Sequence, residues 1–172
     1  MVRDFDDNEF PLAYLITFRC YGTWMHGDER GSVDRRHNVY GTSKIAPNPK
    51  LKIADLKQLM YPPFRLDAKQ RRLVEKAVRE VCVYRQYILR AINVRTNHVH
   101  AVATATKPPE CLLNAFKAYA TRALREAKLA HTTVKLWARH GSTVYLWKER
   151  DVAKAIEYVM LAQGDELFRL DE

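Results

Sequence analysis

The stretch that decides the fold is Gln86-Tyr-Ile-Leu-Arg-Ala-Ile-Asn-Val-Arg-Thr-Asn-His-Val-His-Ala-Val-Ala-Thr-Ala-Thr106. Two apolar runs, QYILRAINVRT and HVHAVATAT, are parted by a few polar residues, so an antiparallel hairpin is the economical reading. Upstream, LAYLITFRCY (12–21) is rich in β-branched and aromatic residues and predicts a first, central strand ending at Gly22. Between strand and hairpin, LDAKQRRLVEKAVREVCVYR (66–85) puts Leu73, Val74, Ala77, Val78, Val81 and Cys82 on one stripe opposite Lys and Arg, with Asp67 as N-cap. Beyond it, Pro108 and Pro109 suit the start of a second helix, with Leu112, Phe116, Tyr119 or Ala120, Ala123 and Ala127 on its apolar side. VKLWARHGSTVYLW (134–147) then suggests strand-like pieces around Gly141, and DVAKAIEYVMLAQG (151–164) a last helix closed by Gly164.

The order strand, helix, strand, strand, helix, strand, helix predicts an α+β fold of the ferredoxin-like (RRM-like) kind. Its antiparallel sheet carries helices on one face, and an extra C-terminal helix follows. At 172 residues and 47% hydrophobic content, one domain spanning 1–172 is expected. The long polar segment 23–64 is expected to hold a short helix near Ile53–Met60. Its Trp24, His26, Asp28, Glu29 and Arg30 mix aromatic and charged groups, and Trp24 and Arg30 are candidates for clamping single-stranded DNA.

The chain has 29 Lys+Arg against 20 Asp+Glu, a formal charge of +9, which favours a polyanionic partner. No apolar run is long enough to span a membrane, so nucleic acid is preferred over a lipid surface. The opening MVRDFDDNEF has acids where an export signal needs bases. A cytoplasmic protein, nucleoid-associated when on DNA, is therefore expected. Cys20, Cys82 and Cys111 are odd in number and lack CxxC spacing, which argues against a disulfide framework and a thiolate zinc site; all three read as buried small hydrophobes.

On a strand, His98 and His100 share a face while Val99 points away, a ready pair of imidazole ligands, though a half-exposed strand can carry such a pair for no reason of chemistry. Two imidazoles leave a divalent ion such as Mg²⁺ or Mn²⁺ with open positions for water or phosphate oxygens, which suits a catalytic metal. On the last helix Val152, Ala155, Ile156 and Val159 form the core stripe; Tyr158 falls off it, on the flank of Asp151 and Lys154, and is expected to look outward. Tyr119 lies on or beside its own helix's apolar stripe and reads as packing. Lys117, Arg125 and Lys128, with Arg122 near their edge, form a basic side that can track a phosphate backbone or simply be solvated.

His98-Val99-His100 after an apolar strand, a following FKAYATRALRE (116–126), then YLWKERDVAKAIEYVMLAQG (145–164) together resemble the insertion-sequence-200-like and REP-associated tyrosine transposases, which are single-tyrosine HUH enzymes. The resemblance runs from about Leu12 to Gly164. It implies that His98 and His100 bind a divalent metal and that Tyr158 attacks a DNA phosphate, releasing a 3′-hydroxyl and leaving a 5′-phosphotyrosine that another strand's 3′-hydroxyl can reverse. Metal-dependent nicking and joining of single-stranded or hairpin DNA follows, with room for a homodimer. The family's third ligand is often Gln or Asn four residues after the tyrosine; here Ala162 holds that position. Gln163 comes one residue later, about 140° round an unbroken helix from Tyr158, and reaches the site as a ligand only if the chain unwinds at Gly164. Two other classes share these residues: a catalytically inactive single-stranded or structured nucleic-acid-binding module, and a histidine-metal phosphohydrolase.

Overall fold

A computed structural model of the chain describes residues 10–24 and 46–161. Its elements are β1 (Ala13–Cys20), α1 (Pro49–Lys57), α2 (Ala68–Arg85), β2 (Ile88–Val94), β3 (His98–Thr104), α3 (Pro109–Glu126), β4 (Trp137–Leu146) and α4 (Glu149–Leu161). The sheet order is β2-β3-β1-β4, antiparallel between every pair of neighbours. β1 is therefore an inner strand, as its sequence predicts. The connection from β1 through α2 to β2 steps over the place that β3 fills, which is the split βαβ of a ferredoxin-like sheet.

Local chemistry fixes the helix starts. Asp67 caps α2 by accepting from the Gln70 amide at 2.8 Å, while the Gln70 side chain accepts from the Asp67 amide, a reciprocal capping box. Pro109 opens α3, where a missing N–H costs nothing. In the polar segment the short helix begins earlier than expected, at Pro49, because Asn48 accepts from the amides of Lys50 and Leu51. The pieces expected around Gly141 form one continuous strand instead. Gly141 is what permits this: a Cβ there would lie 2.6 Å from the Thr17 carbonyl oxygen and 2.8 Å from Leu113.

Alternation along the strands sorts two cores onto the two sheet faces. Tyr14, Ile16, Phe18, Val99, Ala101 and Ala103 face α2 and α3, against Val74, Val78, Val81, Leu112, Phe116, Ala120 and Leu124. Leu15, Ala91, Val102 and Leu146 face the other way, and α4 covers them with Val152, Ala155 and Val159. The extra helix thus occupies the sheet face that α2 and α3 leave. Among the cysteines, Cys20 and Cys82 are buried, their thiols pushed up to about 12 and about 11 by desolvation. Cys111 is exposed, contrary to expectation, because it precedes Leu112 and so stands off the buried stripe of α3. Among the described residues no helix is long and apolar enough to cross a membrane.

Candidate active site

The face under α4 changes character along β1 and β3. Leu15 and its partner Val102 are buried beneath the helix; two residues on, Thr17 faces His100, and two further, Arg19 faces His98. Period-two alternation therefore puts Thr17, Arg19, His98 and His100 on one polar, partly buried patch at the border of the apolar contact with α4. The two imidazole centroids are 4.6 Å apart, inclined at 69°.

Neighbouring side chains hold both rings by Nδ1. Asn97 Oδ1 lies 2.7 Å from His98 Nδ1; an Nδ1–H donating to that oxygen leaves the lone pair of the neutral ring on Nε2. Thr17 Oγ1 lies 2.8 Å from His100 Nδ1. Partners of this kind fix ring orientation in metal-binding histidines, and they sit one position before His98 and across the strand pair from His100. Burial is the first cause that pulls the His100 pKa down to about 3, with the charges of His98, Arg19 and Arg95 adding to it. His100 is thus a neutral imidazole at physiological pH, the form a metal requires.

That shift has a measurable consequence for the metal-free protein. An unfolded histidine titrates near 6.5, so between that value and about 3 the unfolded chain binds the extra proton. Stability is complete above pH 6.5 and declines as pH falls, by about 2 kcal/mol by pH 5 at 1.36 kcal/mol per unit. Urea midpoints at pH 7.5 and 5 should show this loss, and His100→Gln should flatten it; an equal slope in the variant would place the acid sensitivity elsewhere.

Tyr158 enters from α4. Its ring lies 5.2 Å from that of His100, inclined at 67°, and is partly buried against the α4 core. It does not simply look outward as the helical wheel suggests: its flank of the helix faces the polar border of the sheet. Tyr119, the rival, packs on the other sheet face with Tyr84, ring centroids 6.5 Å apart, and carries the Arg122 guanidinium 4.9 Å above its ring.

Three residues near the histidines escape sequence reasoning. Arg19 is the register partner of His98, and its guanidinium covers the Trp24 ring at 3.6 Å, which brings Trp24 to the rim of the patch. Arg95 follows β2 directly, its amide donating to the His98 carbonyl at 2.8 Å. The alternation of β1 could have flagged Arg19, a cation on an otherwise apolar strand; nothing local flags Arg95. Asn93, partner of His100 on β2, donates from Nδ2 to the Val159 carbonyl at 2.9 Å. Asn93 thus pins α4 one residue from Tyr158.

Removing that pin should shift the Tyr158 ring. Asn93→Ala leaves the carbonyl without this donor, at a cost of about 1 kcal/mol of stability. The expected result is a folded protein in which the nuclear Overhauser contact between the His100 and Tyr158 rings weakens or is lost. A contact of unchanged strength in the variant would mean that Asn93 does not place Tyr158.

The remaining predicted residues do not converge here. Lys117, Arg122, Arg125 and Lys128 belong to α3 and the turn after it, beyond the opposite sheet face. The Lys117 ammonium donates to the carbonyls of Ala138 and His140 at 2.9 and 3.1 Å, tying α3 to β4, and burial lowers its pKa; those contacts compete with any phosphate. Arg125 donates to the Thr132 carbonyl at 3.2 Å. His131 and His140 are exposed, as expected. Gln163 and Arg30, with His26, Asp28 and Gly164, lie outside the described residues. Among the described residues no set of three His, Cys, Asp or Glu side chains comes together. The two imidazoles fit a divalent ion as a partial donor set, with their orientation held by Asn97 and Thr17.

No protein-family model and no curated protein matches the sequence. Among solved structures the fold is similar to a REP-associated tyrosine transposase bound to a REP hairpin, at 12% identity and a TM-score of 0.48, over 92% of this chain and 70% of that one. It is also similar to a Deinococcus radiodurans R1 protein assigned as a transposase, at 13% identity and a TM-score of 0.45, over 89% and 92% of the respective chains. Likeness at this level assigns no role to any residue.

Proposed function

We propose that this chain nicks and rejoins single-stranded DNA by transesterification, with Tyr158 as nucleophile and His98 and His100 as ligands of a divalent metal, Mg²⁺ or Mn²⁺. The observation that carries the reading is the contact of the Tyr158 ring with His100, 5.2 Å between centroids, beside a second histidine at 4.6 Å. A tyrosine against a histidine pair, with the charges of Arg19 and Arg95 close to it, suits a phosphodiester better than a neutral substrate.

The residues divide the work as follows. Arg19 and Arg95 draw the phosphate to the patch and offset its charge. Asn97 and Thr17 keep the imidazoles turned, and Asn93 keeps α4 in place. A divalent ion held by His98 and His100 would polarise a non-bridging phosphate oxygen and steady the phosphorus for in-line attack. Tyr158 Oη forms the bond to phosphorus, the bond to the 3′ oxygen breaks, and that oxygen leaves as a hydroxyl after taking up a proton. The tyrosine proton passes to solvent or to a base outside this set. Because one phosphodiester replaces another, the reverse reaction with a new 3′-hydroxyl rejoins strands without a nucleotide cofactor.

The test is a covalent-adduct assay on the full chain with a labelled single-stranded hairpin, with and without Mg²⁺ or Mn²⁺. A metal-dependent adduct at Tyr158 supports the reading. DNA binding without any adduct would make the chain the inactive binding module instead. Release of inorganic phosphate from small esters would make it a phosphohydrolase.

A further inference from the structure

A groove that the histidine pair does not use runs along the free edge of the sheet, on the outer strand β2 where α4 ends. Its volume of about 430 Å³ is that of a small-ligand site. Leu89, Ala91, Ile92 and Met160 give it an apolar wall, and Met160 is 53% exposed there. The strand register shifts between Leu89 and Ala91, and a bulge on an edge strand makes it a poor template for another strand. What enters the groove must therefore be held by side chains. Asn93 lies in the same wall and is the register partner of His100, whereas Met160 leaves α4 about 200° round from Tyr158. The groove thus lies round the end of α4 from the proposed nucleophile, with Asn93 between them.

Two arginines on this side of the molecule lack an anion. Glu75, the acid in the groove wall, is already taken, because Arg79 donates to one of its oxygens from Nε and Nη2 at 3.0 and 2.7 Å. Arg90, in the wall as well, has no acid partner among the described residues. Its Nε donates to Thr104 Oγ1 at 2.7 Å, and that hydroxyl donates to the Leu12 carbonyl at 2.6 Å. A neutral chain therefore orients the guanidinium and leaves its terminal nitrogens to a ligand. Arg71 stands one helical turn before Glu75 and two before Arg79 on α2, and among the described residues its Nε is buried with no hydrogen-bond partner. Burying a cationic donor in that state costs stability unless an acceptor comes to it. We propose that Arg90 and Arg71 bind backbone phosphates of the DNA strand flanking the scissile phosphate, with the apolar wall of the groove along the nucleotides between them. Arginine meets phosphate with paired donors, and contacts of this kind fix the path of a strand without reading its sequence. That the anion belongs to DNA rests on the proposed nicking reaction; the site rests on the two arginines.

Binding tests it without chemistry, in the full chain carrying Tyr158→Phe, titrated with a fluorescent oligothymidylate over a range of salt. Arg90→Gln and Arg71→Gln should each weaken binding about 5-fold and flatten the salt slope by about 0.7, the value for one phosphate of a single strand. Arg90→Lys should keep the slope, since the charge remains. Arg72→Gln, at an exposed position of α2, should change neither quantity. Two further readouts do not depend on affinity. The Met160 methyl resonance should move when the oligothymidylate binds, and Arg71→Met should raise the urea midpoint of the DNA-free chain by removing a buried donor that has no acceptor. Salt slopes equal to the parent in both glutamine variants, slopes matched by Arg72→Gln, or an Arg71→Met midpoint that falls would overturn the proposal. So would a Met160 methyl that the oligothymidylate leaves unmoved, or one that moves with protein concentration alone and so gives the groove to a second copy. The two proposals fail separately: an adduct at Tyr158 with binding indifferent to Arg90 and Arg71 refutes only the groove. Arginine-dependent binding by a chain that forms no adduct refutes only the reaction.

Discussion

Tyr158→Phe should abolish the covalent protein–DNA adduct completely while leaving DNA affinity within about 2-fold of the parent, a difference of only ~0.4 kcal/mol. The substitution removes one oxygen and keeps the ring, so the packing of that ring on His100 at 5.2 Å and on the α4 core persists. Metal binding should persist with it. Tyr119→Phe should still form the adduct, because Tyr119 packs beside Tyr84 on the opposite sheet face. Trapping the adduct on a labelled single-stranded hairpin and locating the modified peptide by mass spectrometry decides between them. An adduct on Tyr119, or one formed undiminished by Tyr158→Phe, would reject the assignment and leave the His100–Tyr158 contact as packing.

The elements were legible because their signals are local. Asp67 three residues before Gln70, Pro109 at a helix start, and strands that alternate in side-chain character all act within a few residues, and the structure follows each. The pairing of His98 with His100 was legible for the same reason, since period-two geometry is a property of any strand. What the sequence hides is long-range. Arg19 and His98 are far apart in the chain and meet only through the β1–β3 register, and Asn93 reaches Val159 only once α4 has crossed the sheet. The same gap explains the α3 cations: helical spacing shows that Lys117, Arg122, Arg125 and Lys128 cluster, but not that the sheet stands between them and Tyr158. Lys117 shows the point in one residue, its ammonium being held by two β4 carbonyls that no periodicity predicts. The outward look of Tyr158 failed for a related reason. A wheel separates core from solvent, whereas the border of a partly covered sheet is neither.

Replacing either histidine should cost at least about 100-fold in nicking while sparing most of the DNA affinity. Lewis-acid stabilisation of a phosphoryl transition state is worth several kcal/mol, and each 1.36 kcal/mol is tenfold in rate. Under the proposed reaction, affinity would draw instead on phosphate contacts to Arg19, Arg95 and other cations, which neither substitution removes. His98→Ala is the cleaner variant, because its ring is held by the adjacent Asn97 and its loss leaves the strand pairing intact. His100→Ala also strips Thr17 of its partner and opens space beneath Tyr158, so His100→Gln should accompany it to separate lost ligation from lost packing. Chelation of the parent protein should reproduce the loss, and added Mn²⁺ or Mg²⁺ should reverse it, whereas the metal should restore His98→Ala only in part. Nicking at the parent rate by both alanine variants in the presence of chelator would remove the metal from the mechanism. Tyr158 would then have to act with the arginines alone.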